Sequence, residues 1–367
     1  MNRSELAQHL RSNKDAIRKL RAVTGFDGFV DEMITLVDER QDLASYRRVE
    51  DITRFSELVK QAAGHSSLRE IVVTDTHPGG CAVNMGDGLA AFGLHVDTFA
   101  TLGEPVHPAF AEYGQRAKLH SWGREPGRTL AFEFADGKLM FSAVTQLAEF
   151  EPERIREYLK DGVFTGACQI APLIAITDWT LYPHMTAVWQ LLQKEVFPKL
   201  ENSPWLFIDL VDPSSRSEAD IRAMIAALPG FSKHARPVLG LNQNEANILS
   251  RLLRISEVSS AKAADTATQA SELRSALKLS QVVIHAHRYA VCATENEAVE
   301  VEGPYCPQPK KSTGAGDRFN SGYGLGLLLG LDPADCLLTA VASSGYFVRE
   351  AQSASLAQLA DFLEGWE

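Results

Sequence analysis

The chain has 367 residues, 45% of them hydrophobic and 23% charged, which excludes a disordered or membrane-embedded class and leaves room for one large domain or two medium ones. Its net charge of −11, with no basic stripe, argues against a nucleic-acid partner, so an anionic substrate has to be held by local groups. The five cysteines (Cys81, Cys168, Cys292, Cys306 and Cys336) are odd in number and lack a C-x-x-C pair, against a disulfide framework or zinc site and in favour of a reducing, cytoplasmic setting.

Residues 1–20 are polar and charged and read as an amphipathic surface helix rather than a signal peptide, a helical extension ahead of a domain spanning 21–367. From there apolar runs alternate with segments of helical period. Strands are expected at 21–24, 96–101, 173–177, 205–210, 238–241 and 282–285, and helices at 82–92, 183–200, 218–228, 244–254 and 270–277. Beyond Gly314 the pattern is helical to the end, over 317–329, 333–349 and 356–366. This rhythm indicates βαβ units, a mostly parallel central sheet and a three-layer α/β/α domain. One region breaks it: 129–134 and 138–142 are strand-like and flank Asp136-Gly137, a strong hairpin signal. A small antiparallel lid built from segments near 31–50 and 120–145 is the natural expectation. No run is long enough to span a bilayer, and no membrane partner is expected.

The most informative stretch is Ser312-Thr313-Gly314-Ala315-Gly316-Asp317, followed by a long apolar helical run. A glycine turn that feeds a helix exposes backbone N–H groups at the positive end of the macrodipole, and so forms an anion site. Asp317 falls in the first helical turn beside it. There a carboxylate can take the proton of an attacking hydroxyl while the amides hold charge on a phosphoryl group. Standing alone, the same residues also fit a capping aspartate on an ordinary helix. Asn242-Gln243-Asn244-Glu245 has two readings as well: a capping box, or an amide and carboxylate that organise water around Mg²⁺.

For Asp317 the neighbouring residues favour the chemical reading, and at Asn242–Glu245 the two roles are compatible. Lys311 to Gly322 resembles the C-terminal signature of the ribokinase-like (PfkB) carbohydrate kinases, T-G-A-G-D followed by Phe and a small-residue helix. Gly79-Gly80-Cys81-Ala82-Val83-Asn84 is similar to that family's G-G-x-x-x-N. Asp212-Pro213-Ser214-Ser215-Arg216 resembles its D-P-x-x-R, and Asn242 to Glu245 its N-x-x-E. The four matches stand in the family's order over almost the whole chain.

The resemblance implies a ribokinase-like fold with a β-lid, ATP and Mg²⁺ as co-reactants, and transfer of the γ-phosphoryl to a hydroxyl of a small sugar-like substrate. It assigns Asp317 as the base and Gly314, Ala315 and Gly316 as the anion hole. Acceptor binding falls to Asn84, Gly79, Gly80 and an aspartate after the first strand, for which Asp27 and Asp31 are both candidates. Asn242, Glu245 and Thr313 are the expected nucleotide contacts, with Glu245 reaching the metal through water; where the family's glycines are missing, His285, His287 and Arg288 are candidates to meet phosphate instead, His287 being the one expected among the nucleotide contacts. Family lids often pair, so the lid is also where two copies of the chain would meet. Asp178, after the strand at 173–177, is a minor acceptor-site candidate.

Two stretches depart from the pattern. Glu104-Pro105-Val106-His107-Pro108 replaces the usual G-x-D-x-x-G near the lid, and His285-Ala286-His287-Arg288-Tyr289-Ala290 replaces T-x-G-x-x-G beside the nucleotide. They keep a second reading open: a regulatory sugar- or nucleotide-binding protein on the same fold that has lost turnover.

Overall fold

The computed structural model describes residues 1–259 and 262–366; Glu367, the end of the expected domain, lies outside them. The first strands in chain order are β1 (Arg21–Phe26), β2 (Phe29–Arg40), β3 (Tyr46–Arg48), β4 (Ile71–Gly79), β5 (His95–Ala100), β6 (Lys118–Ser121), β7 (Gly127–Phe134) and β8 (Gly137–Ala143). The second half supplies β9 (Leu173–Ile176), β10 (Trp205–Asp209), β11 (Arg236–Asn242), β12 (Gln281–His285), β13 (Tyr289–Ala293) and β14 (Ala298–Glu302). Nine of these form the main sheet in the order β14-β13-β12-β11-β10-β9-β1-β5-β6. Every pairing is parallel except the two that involve β13.

Alternation along the strands explains the three layers. Ile174, Ile176, Ile208, Leu239 and Leu241 point into one core, where they meet Met185, Val188 and Leu249 from helices on that face. Leu173, Ala175, Phe207 and Val238 point the other way, onto Val83, Leu89, Phe319 and Leu337. Strands buried on both faces read as continuous apolar runs, which is why they were legible in the sequence. The order of strands reverses between β1 and β9, so a crevice opens outside their carboxyl ends, the usual ligand position in such sheets.

The lid is a separate five-stranded sheet, β3-β2-β7-β8 with β4 on the other edge of β2. The chain enters it directly from β1 through Asp27 and Gly28. The helix Ile52–Ala62 covers one face, burying Leu58 against Ile34, Leu36, Val49 and Phe132. Asp136, in the hairpin turn, accepts a bond from the backbone N–H of Ile52 at 2.9 Å and so ties the hairpin to that helix.

Three expectations are corrected. Lys118–Ser121 pairs with β5 in the main sheet, so the second lid segment begins at Gly127 rather than near 120. The lid also contains β4, which shows little hydrophobic alternation because most of its side chains are exposed on a sheet edge. Residues 1–20 are helical as expected but not separate from the domain: Leu6, Leu10 and Ile17 of the helices Arg3–Ser12 and Lys14–Ile17 are fully buried in the second core with Leu359 and Leu363. Element ends shift elsewhere. The helix expected at 183–200 is Met185–Glu195 with a 3₁₀ turn at Phe197–Lys199, where Pro198 cannot continue the ladder, and that expected at 270–277 starts at Ala263. Among the described residues, no helix is long and apolar enough to cross a membrane.

Candidate active site

Gly314 adopts φ 87°, a left-handed conformation open to glycine, and the helix Ala315–Leu328 starts immediately after it. The N–H of Ala315 donates back to the carbonyl of Ser312 at 3.0 Å, and the amides that follow it lie at the positive end of the helix. Asp317 sits in the first turn of this helix, 7% exposed. Burial, and next the negative charge of Asp209, push its carboxyl up to about 7. The side-chain amide of Asn84, one turn into the helix Cys81–Ala91, donates to Asp317 Oδ2 at 2.9 Å.

The two aspartates after β1 separate cleanly. Asp27 is 1% exposed, and its carboxylate accepts bonds from the N–H of Cys81, the N–H of Ala82 (2.9 Å) and the hydroxyl of Thr177 (2.6 Å). It therefore caps the helix Cys81–Ala91 from outside and lies buried beneath the crevice. Asp31, four residues further into the lid, lies over Gly79 so closely that a Cβ there would overlap its carboxyl group. Burial raises its pKa, opposed by a bond from Thr129 and by the nearby charges of Lys138 and Lys311. Gly80, at φ 98°, is held against the backbone carbonyl of Asp27, where a Cβ would come within 2.6 Å.

Lys138, from the lid hairpin, donates to the Thr313 hydroxyl at 3.4 Å, which brings the lid onto the glycine turn. Asp31, Gly79, Asn84, Thr313, the 314–316 turn and Asp317 thus converge on one side of the crevice. The other side is a cavity of about 560 Å³ that reaches Ala315 and Gly316 from Asn242, His285, Tyr305 and Val341. His287 lines it too, exposed at the mouth.

Asn242 and Glu245 form a complete capping box on the helix Gln243–Leu253, with the N–H of Asn242 donating to Glu245 at 2.8 Å and the N–H of Glu245 to Asn242 at 3.0 Å. The capping reading of this stretch is therefore realised. Glu245 is buried and both its oxygens accept from Asn242; burial first, then Asp209, raise it to about 8. Asp209, at the end of β10, accepts bonds from Val211 N–H (2.9 Å) and Asn320 Nδ2 (2.7 Å), and burial raises it as well. Asp178 stands at φ 56° after β9, its pKa driven well up by burial and by Asp27. Asp209 and Lys138 escaped the sequence reading. Asp209 carried the same signal as Asp178, a carboxylate at the carboxyl end of a parallel strand. Lys138 carried none, because an exposed-looking lysine in a hairpin is ordinarily solvated.

The architecture is that of the ribokinase-like sugar kinases. The carbohydrate kinase of Agrobacterium tumefaciens superposes with a TM-score of 0.62 at 17% identity, covering 95% of this chain and 96% of the other. Arabidopsis thaliana ribokinase, solved with ribose and ATP, gives 0.64 at 13% identity, covering 94% and 98%. Within that class the prokaryotic ketohexokinase family model matches residues 3–366, and the chain belongs to that family. A ketohexokinase of Haloferax volcanii is 27% identical over 349 residues, 94% of this chain and 91% of the relative. The chain is thus a carbohydrate kinase.

Proposed function

We propose that the protein transfers the γ-phosphoryl of ATP to a hydroxyl of a ketohexose, with Asp317 as the base. The observation that carries this reading is the position of Asp317: pinned by Asn84 at 2.9 Å, at the mouth of the Gly314 turn, between the lid-covered side and the larger cavity. The acceptor would lie against Asp31, Gly79, Gly80 and Asn84, and the nucleotide in the cavity beside Asn242 and Thr313. The acceptor oxygen attacks the γ-phosphorus as the bond to the β–γ bridging oxygen breaks. ADP leaves, and the hydroxyl proton passes to Asp317. The N–H of Gly316 holds an equatorial oxygen in the transition state, and that of Ala315 joins it on release from the Ser312 carbonyl, to which it donates in the ligand-free structure.

Asp209 raises the proton affinity of both Glu245 and Asp317, and Asp317 adds to that of Glu245, an arrangement of hard oxygen donors suited to a divalent cation. Mg²⁺ keeps most of its waters and needs few direct protein ligands. Glu245, reached through water, and Asp209 would hold it, and when bound it supplies neutralisation of phosphate charge.

Two further elements belong to this reading. Two copies would pair through exposed lid side chains, including Val73, Met140 and Phe141, 46–51% exposed. A cytoplasmic setting is supported by five cysteines that all stand as free thiols. The test is an ATP-consumption screen over ketohexoses, aldoses and nucleosides, with the product identified by phosphorus NMR. A ketohexose phosphate is expected. Tight sugar binding without ADP release from any acceptor would favour the regulatory protein instead.

A further inference from the structure

Arg318 follows Asp317 in the first part of the helix Ala315–Leu328 and is 8% exposed. Three elements fix its guanidinium. Nη2 donates to Asp87 of the helix Cys81–Ala91 at 3.1 Å, Nε donates to the Ser353 hydroxyl at 3.0 Å, and Cζ lies 4.5 Å from the centre of the Phe347 ring, near the end of the helix Pro333–Glu350. The remaining nitrogen, Nη1, has no hydrogen-bond partner among the described residues and stands 2.9 Å from where a Cβ on Gly314 would be, with the Asn84 amide nitrogen 3.4 Å from the same point. Stability alone gives little reason for a cation here. The positive end of the macrodipole and the neighbouring charge of Lys311 both oppose it, and a part-buried ion pair adds little net stability.

What the charge reaches is Asp317. The other titratable groups that face this carboxyl, Asp27, Asp178, Asp209, Glu245 and the Cys81 thiol, are acidic, whereas Arg318 draws its proton affinity down. Arg318 itself is faced by Asp87, Lys311, Tyr113 and, paired with the other oxygen of Asp87 at 2.6 Å, Arg116. We propose that Arg318 is a positioning residue for phosphoryl transfer: its cation, held behind the Gly314 turn by Asp87, Ser353 and Phe347, keeps the adjacent Asp317 carboxylate ready to accept the hydroxyl proton, and Asp87 sets its strength. This rests on the reading of Asp317 as the base. An arginine stays charged throughout the range in which Asp317 titrates, so the influence is constant.

The test is the pH profile of kcat/KM, beside Tm and calorimetric binding of ATP and sugar, for wild type, Arg318→Met, Arg318→Lys and Asp87→Asn. Arg318→Met keeps an unbranched stem on Phe347 and loses the charge, so the acid limb should move up by about one pH unit, the scale of one charge a few ångströms away in a part-buried site. Arg318→Lys keeps a charge and should recover most of that shift. Asp87→Asn removes the carboxylate that offsets the guanidinium, and its limb should move downward. A purely structural contact would lower Tm or kcat in these variants and leave the limb in place, which would overturn the inference, as would equal upward shifts in Arg318→Met and Arg318→Lys. If Arg318→Met does not fold, Asp87→Asn decides: a downward shift supports the inference and an unmoved limb overturns it. Wild type that releases no ADP with any sugar would overturn the reading of Asp317 as the base. A wild-type limb at about 7 that none of the three variants moves would overturn this inference alone.

Discussion

Asn84 donates its side-chain amide to Asp317 across 2.9 Å, joining the first turns of two helices whose contacting residues are 233 positions apart in the chain. The bond favours the ionised carboxylate and fixes which oxygen faces the acceptor. Asn84→Ala is expected to lower kcat about tenfold or more. It should also raise the proton affinity of Asp317 further, moving the acid limb of the kcat/KM profile to higher pH. A profile that loses amplitude without moving would assign Asn84 to acceptor binding alone.

In the wild-type protein Asp317 titrates at about 7, raised first by burial and then by Asp209. The base has to be unprotonated, so kcat/KM should fall as pH drops through that value. The measurement is a pH profile at saturating Mg²⁺, with Asp209→Asn expected to shift the acid limb downward because it removes the neighbouring negative charge.

Stability should show the opposite sign. Asp317 at about 7 and Glu245 at about 8 hold protons in the folded state that an unfolded carboxyl, titrating near about 4, has already released. Their contribution is complete below about 4 and lost as pH rises through about 7 to 8. Thermal melts of the metal-free protein should therefore weaken between pH 5 and pH 8. Added Mg²⁺ should raise Tm at pH 8 and change it little at pH 5, and EDTA should reverse the gain.

The two aspartates after β1 give a contrast. Asp27→Ala leaves two backbone N–H groups at a helix start without their acceptor and should cost about 2 kcal/mol, read as a fall in Tm. Asp31→Ala should leave Tm close to wild type and raise the sugar KM roughly 10- to 100-fold with little change in the ATP KM.

Much of this was legible because local and global signals agree. Strands buried on both faces gave apolar runs, and the helix starts at Gly80, Asn242 and Gly314 carried turn and capping chemistry in the sequence itself. What stayed hidden depends on tertiary placement. β4 is an exposed edge strand without alternation, Asp27 and Asp31 differ only in what the fold lays over them, and Lys138 acquires its partner when the lid meets Thr313. The N-terminal segment read as an amphipathic surface helix because its Leu6 and Leu10 face is narrow, yet that face is buried in one core with Leu359 and Leu363 of the helix Leu356–Gly365.

The most direct test of the whole account compares wild type with Asp317→Asn, measuring ADP release with fructose beside calorimetric binding of ATP and sugar. The amide keeps the shape and loses the base, so turnover should fall by about 10²- to 10⁴-fold while both ligands still bind. Turnover within a few-fold of wild type would contradict the account.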